Sequence, residues 1–114
     1  MIEETTKRIL IAIVKHCDII EQTKAVFGSS YSDYEDNIIY QNAILTPVSQ
    51  IGELVKRLSD IFRQQYKEIP WRSIAGLRDI VVHSYETIDK VVLWDIVNDQ
   101  TGKLGAFCAE VLKK

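Results

Sequence analysis

The run Arg78-Asp79-Ile80-Val81-Val82-His83-Ser84-Tyr85 gathers a cation, a carboxylate, an imidazole and a phenol around an apolar stretch. Burying Arg, Asp and His is costly unless they pair or perform chemistry. In a helix, Asp79 and His83 lie four residues apart on one face. The carboxylate can then accept a hydrogen bond from one imidazole nitrogen, fixing the tautomer and favouring the protonated ring. Arg78 stands five residues before His83, roughly 140° around an ideal helix. The two converge on one ligand only through the reach of Arg78, a helix end near His83, or a second subunit. Tyr85, seven residues from Arg78, returns to the side of the arginine if the helix persists.

Arginine and histidine together suit phosphodiester chemistry. A guanidinium grips non-bridging phosphate oxygens and gains strength as charge accumulates in the transition state. Histidine can take the proton of a ribose 2′-hydroxyl or protonate the departing 5′-oxygen. Such a reaction requires no metal, and the sequence offers no carboxylate cluster or histidine pair to hold one. Only RNA carries the internal 2′ nucleophile, so the mechanism points to RNA as substrate. The same residues also fit a plain structural pair, Asp79 with His83, with Arg78 as an intramolecular clamp.

The elements that must position these residues are helical. Apolar residues recur at three- and four-residue intervals, and no strand-period segment competes. Ile2 to Val26 reads as one amphipathic helix with Ile9, Ile13, Cys17 and Ile20 inward, stopped at Gly28. Ser32-x-x-Glu35 matches a capping box opening a second helix. That helix carries Ile38, Asn42, Leu45, Ile51, Leu54, Val55 and Leu58 on one side and a kink at Pro47. From Ser59-Asp60 through Glu68 the polar sequence reads as a frayed helix end and loop. Pro70 opens a short helix to about Val82, and Tyr85 to Thr87 turns the chain. Asp89 caps a last helix, which Thr101-Gly102 breaks or bends before Leu104 to Leu112. The expectation is an all-α antiparallel bundle of four to five helices.

The chain has 114 residues, 46% hydrophobic and 26% charged, the size and balance of one globular domain. Its longest apolar run, Ile9 to Val14, is too short to cross a bilayer and follows charged residues unlike a secretory signal. Cys17 and Cys108 show no metal-ligand spacing, so two buried, reduced thiols in a cytoplasmic protein are expected. A net charge of −2 leaves RNA binding to be argued from a local site. His16 reads as a boundary histidine. Glu53 reads as either facing a cleft or pairing between helices. Lys56, Arg57 and Arg63 read as a solvated basic face, and Arg72 as a candidate phosphate ligand beside Arg78.

A longer pattern joins these pieces. Ile51-Gly52-Glu53, then Ile69-Pro70-Trp71-Arg72-x-Ile74-x-Gly76-Leu77-Arg78-Asp79-x-x-Val82-His83-x-Tyr85, then Ile88-Asp89 and Trp94, resemble the HepT-like family. The resemblance extends to Arg8-Ile9 and Gln41-Asn42-Ala43-Ile44, and so covers nearly the whole chain. These are HEPN-type helical proteins, the toxins of HEPN–MNT toxin–antitoxin pairs. The resemblance implies that residues 1–114 form a single HEPN domain acting as a homodimeric, metal-independent endoribonuclease with no cofactor, in a type VII-like system. Arg78 and His83 match the catalytic positions, with Arg-x4-His motifs from two subunits meeting at one cleft. Asp79 matches the polar position after the arginine, where asparagine is common. Tyr85 matches the tyrosine to which a nucleotidyltransferase antitoxin transfers AMP, which would block RNA and add negative charge. The alternative is a non-catalytic helical interaction module, or an accessory subunit that binds a nucleotidyltransferase partner.

Overall fold

A computed structural model of the chain describes residues 2–79 and 90–114. The described residues are helical throughout their ordered elements and contain no strand, as the periodicity predicts. Helix α1 (Glu4–Phe27) is the central element, packing against α3 (Ile38–Lys56) on one side and against the C-terminal helix on the other. Its inward stripe of Ile9, Leu10, Ile13, Cys17 and Ile20 is buried. Each large aliphatic side chain so buried contributes about 1.5–3 kcal/mol. Gly28, at φ 116°, ends α1 in a backbone region that suits glycine, and its N–H donates to the Lys24 carbonyl.

The second helical segment differs from expectation. The capping box is formed by Ser30 and Asp33, not by Ser32 and Glu35, and it opens only a short α2 (Tyr31–Glu35). Asn37 then caps α3 anew, accepting from the Tyr40 N–H at 3.1 Å. α3 continues through Pro47, and its buried face runs Tyr40, Ile44, Val48, Ile51 and Val55. Ile38 and Asn42, expected inward, are exposed. The face is set by Tyr40, whose ring packs on Trp94 and whose hydroxyl donates to the Gly28 carbonyl at 2.7 Å. An aromatic with a satisfied hydroxyl behaves as core, which a count of aliphatic residues overlooks.

The first half of the polar passage after Leu58 is a helix of its own, and residues 66–69 are the turn and bend that the sequence reads as a loop. Ser59 caps α4 (Asp60–Gln65) by accepting from the Phe62 N–H. Phe62, Tyr66, Trp71 and Phe107 cluster around it, and the Trp71 indole N–H donates to the carbonyls of Arg63 and Tyr66. α5 (Trp71–Ala75) follows Pro70, turns at Gly76, and residues 77–79 are again helical. The expected extension to Val82, the turn at Tyr85 to Thr87 and the Asp89 cap lie outside the described residues.

From Lys90 the chain is helical to Lys113, as α6 (Lys90–Asp95), a π-helical turn (Ile96–Gln100) and α7 (Thr101–Lys113). The irregularity therefore precedes Thr101-Gly102, where a break or bend was expected. Widening a turn disturbs the carbonyl ladder. Here Asn98 Nδ2 donates to the Trp94 carbonyl at 3.0 Å and Thr101 Oγ1 to the Val97 carbonyl at 3.1 Å. Cys17 and Cys108 are buried and free, and burial pushes both thiols up to about 12. No helix among the described residues is long and apolar enough to cross a membrane.

Candidate active site

Arg78 is placed by a close approach of α5 and the residues after it to α3. A Cβ added at Gly52 would lie 2.8 Å from the Arg78 backbone nitrogen and 3.1 Å from the Ile74 carbonyl oxygen. Only glycine admits this spacing, and it sets the following residues of α3 beside Arg78. Glu53 Oε2 lies 3.6 Å from Arg78 Nε. One turn further, Lys56 Nζ donates to both Asp79 carboxylate oxygens, at 3.2 and 3.4 Å. Arg78 Nη1 reaches Asp79 Oδ1 at 3.4 Å. The result is a ladder of alternating charge, Glu53, Arg78, Asp79 and Lys56, with two cations balancing two anions.

The ladder is loose and wet. Arg78 has no contact in it shorter than 3.4 Å, long for a charge-assisted hydrogen bond, and its side chain is 40% exposed. Ion pairs of this exposure hold little energy and exchange readily with a competing anion. The hydrogen bonds from Lys56, and secondarily from Arg78, hold the Asp79 carboxyl below its usual range, so it is ionised at neutral pH. Asp79 therefore has Lys56 and Arg78 as described partners, whereas the sequence pairs it with His83. His83 and Tyr85 lie outside the described residues, so the Asp79–His83 contact and the convergence of Arg78 with His83 do too.

Lys56, read from sequence as a solvated charge, is exposed and is also the principal partner of Asp79. Glu53 pairs with Arg78 across the contact between α3 and the residues after α5. The legible signal was Gly52-Glu53-x-x-Lys56, a small residue beside two charges one turn apart. Arg63 is drawn out of the expected basic face by Asp60, with Nη2 to Oδ1 at 2.8 Å. Arg72 lines a pocket to which Arg78 does not contribute. His16 is half-buried with Nδ1 lacking a partner among the described residues, and burial with Lys15 beside it lowers its pKa. No group of three or more His, Cys, Asp or Glu among the described residues could hold a metal ion.

The described residues form an all-helical scaffold that presents a half-exposed arginine at a glycine-mediated helix contact, and sequence comparison supplies the family. Residues 16–111 match the family model described as "Ribonuclease HepT-like". The chain belongs to the HepT-like ribonuclease family. It is 30% identical over 112 residues to a protein of Caldanaerobacter subterraneus subsp. tengcongensis named "Putative RNase", covering 97% of each chain. It is 32% identical over 87 residues to a "Putative RNase" of Methanocaldococcus jannaschii, covering 76% of this chain and 77% of that one. Over 64 residues it is 36% identical to the "Probable ribonuclease HepT" of Thermococcus cleftensis, covering 56% of this chain and 58% of that one. No solved structure matches.

Proposed function

We propose that the protein is a toxin endoribonuclease of a HEPN–MNT pair, cleaving RNA without a metal through Arg78 and His83 at a homodimer cleft. The observation that carries the reading is Arg78 itself, fixed at its backbone by the Gly52 contact yet loosely held at its guanidinium. Such a group is aimed but available. A scissile phosphate replaces the carboxylates of Glu53 and Asp79 on the guanidinium, and the exchange strengthens as negative charge builds on the phosphoryl oxygens. His83 takes the proton from the 2′-hydroxyl. The 2′-oxygen then forms a bond to phosphorus, the bond to the 5′-oxygen breaks, and the departing oxygen is protonated. The products are a 2′,3′-cyclic phosphate and a 5′-hydroxyl. Asp79 orients His83, and Arg-x4-His motifs from two copies complete the cleft.

In the same reading, a nucleotidyltransferase antitoxin transfers AMP to Tyr85 and silences the enzyme by bulk and negative charge. A second reading, a non-catalytic interaction module, draws support from the charge ladder, because an arginine between two carboxylates is also what a structural clamp looks like. Incubation of unmodified protein with RNA in EDTA decides between them. Cleavage leaving 2′,3′-cyclic ends, lost in Arg78→Ala and His83→Ala, is expected. Intact RNA after incubation with folded, unmodified, dimeric protein would reject the nuclease in favour of the module.

A further inference from the structure

A second group of cations stands apart from the Arg78 ladder. Between α4 and α5 lies a solvent-open pocket of about 610 Å³, lined among others by Asp60, Arg63, Lys67, Pro70, Trp71 and Arg72. Three cations face one carboxylate there, an excess of two positive charges on a chain whose net charge is −2. Salt bridges engage the charged groups of α3 and α7. Lys67 and Arg72, by contrast, have no hydrogen-bond or ion-pair partner among the described residues. Arg63 is only partly satisfied, with Nη2 on Asp60 at 2.8 Å and Nε buried without a partner.

One wall of the pocket is anchored. Trp71 is buried, and both of its indole acceptors are backbone carbonyls of the α4 end, so the wall between Arg63 and Arg72 is tied to the helix that carries Arg63. Clustered, unneutralised Arg and Lys around a preformed concavity match an anion with several acceptor oxygens. The volume exceeds that of a bare phosphate and leaves room for an attached sugar, with Pro70 as an apolar wall. Arg72 also precedes Arg78 by six residues along a largely helical stretch, a rise of about 9 Å. The same six residues turn the helix by about 120°, so a strand serving both arginines would pass around the helix rather than along one face.

We propose that this pocket is a phosphate subsite holding a backbone phosphate of the RNA strand away from the bond that is cut. It rests on the ribonuclease reading above for the identity of the strand. It also answers how a chain of negative net charge holds a polyanion while the Arg78 ladder is itself neutral.

The test uses the full-length protein and random-sequence 2′-O-methyl RNA, which binds but lacks the attacking hydroxyl. Lys67 and Arg72 are exposed and unpaired, so the double variant Lys67→Ala/Arg72→Ala should fold as the wild type, which circular dichroism checks. Its dissociation constant should rise, and the slope of log K against log salt should fall by about 0.7 for each phosphate no longer neutralised. Asp60→Asn, which removes the opposing carboxylate, should bind RNA more tightly. Lys15→Ala, on α1, should leave the slope unchanged. An unchanged slope in the double variant of a protein that still cuts native RNA would overturn the subsite and leave the nuclease standing. A reduced slope in the double variant, with native RNA uncut by the wild type, would uphold the subsite and reject the nuclease. Titration with inorganic phosphate, read at the Trp71 indole N–H resonance, separates a free phosphate source from the strand. A phosphate response abolished in the double variant without any change in RNA binding assigns the pocket to a free phosphate compound and refutes the RNA assignment.

Discussion

Gly52→Ala probes the contact that positions Arg78. The new Cβ would sit 2.8 Å from the Arg78 nitrogen, 3.1 Å from Arg78 Cβ and 3.1 Å from the Ile74 oxygen, where ordinary contact begins near 3.4 Å. Two of those three atoms are backbone, so a rotamer change cannot relieve the overlap. α3 and the 74–78 segment must part by about 0.6 Å, the difference between 3.4 and 2.8 Å. Overpacking of this kind costs about 1–3 kcal/mol, against which alanine gains about 1 kcal/mol over glycine in a helix. The net loss is about 0–2 kcal/mol, which at about 4 °C per kcal/mol lowers Tm by up to about 8 °C. Gly102→Ala isolates the second term, since nothing lies within 4 Å of a Cβ there. That variant should be stabilised by about 1 kcal/mol. Catalysis should separate the pair further. If 1 Å of misplacement costs about a hundredfold, the shift at Arg78 should slow RNA cleavage about tenfold, while Gly102→Ala cuts at the wild-type rate. Thermal melts and single-turnover cleavage on both variants give the comparison. Equal Tm gains and equal rates would refute the claim that the Gly52 contact places Arg78.

Asp79→Asn removes one carboxylate from the neutral ladder, so affinity for 2′-O-methyl RNA should rise and its salt slope steepen by about 0.7. Because Lys56 and Arg78 lower the Asp79 pKa in the folded protein, its contribution to stability is present above the unfolded value near 3.9 and lost as pH falls through the folded one. Urea midpoints of wild type and Asp79→Asn should therefore differ at pH 5 and converge in more acidic solution; a constant gap from pH 5 down to pH 2 would contradict the pairing with Lys56 and Arg78. Cys17 and Cys108, pushed to about 12 by burial, should resist iodoacetamide at pH 8 and both react in urea, as mass spectrometry would record. Tyr40→Phe removes the 2.7 Å bond to the Gly28 carbonyl and should cost about 1 kcal/mol. Burial also raises the Tyr40 pKa, so the wild type should lose stability relative to Tyr40→Phe as pH climbs above 10.

Local patterns were legible where one residue type dominated a face or a boundary. The aliphatic stripe of α1 and its stop at Gly28 could be read directly, because branched side chains at helical spacing and a left-handed glycine leave little choice. The capping box was misplaced by two residues because Ser30-x-x-Asp33 and Ser32-x-x-Glu35 satisfy the same rule. Gly28, which ends α1 just before Ser30, decides between them. α4 looked like a loop because its polar residues outnumber its apolar ones, yet Phe62 and neighbouring Tyr66 engage Trp71 and Phe107 from distant segments. Tertiary burial overrode a weak local preference. Arg78 and Asp79 stood out in the sequence as candidates, but Lys56 stands 23 residues from Asp79. Its role depends on the register of α3 against the 74–79 segment, which no local period encodes. The π-helical turn before Thr101 was sensed as an irregularity and placed a few residues late, since Asn98 and Thr101 repair the ladder from within the helix.

The balanced ladder also bears on what makes the arginine useful. With Glu53 and Asp79 at 3.6 and 3.4 Å, Arg78 exerts little net pull on a distant polyanion, and the negative chain adds none. A ground-state phosphate carrying one charge gains modestly by displacing a carboxylate already in place. A phosphoryl group that has accumulated further charge gains more, because the carboxylates stay singly charged while the transition state does not. In the proposed mechanism, the pairing that weakens RNA capture at Arg78 thus favours catalysis over binding at that position. Capture can then be supplied elsewhere, and the unneutralised Lys67 and Arg72 are placed to supply it. On this argument Glu53→Gln should tighten RNA binding while raising the maximal cleavage rate less than it raises affinity. Tighter binding with an unchanged maximal rate would mean that Arg78 holds ground state and transition state alike.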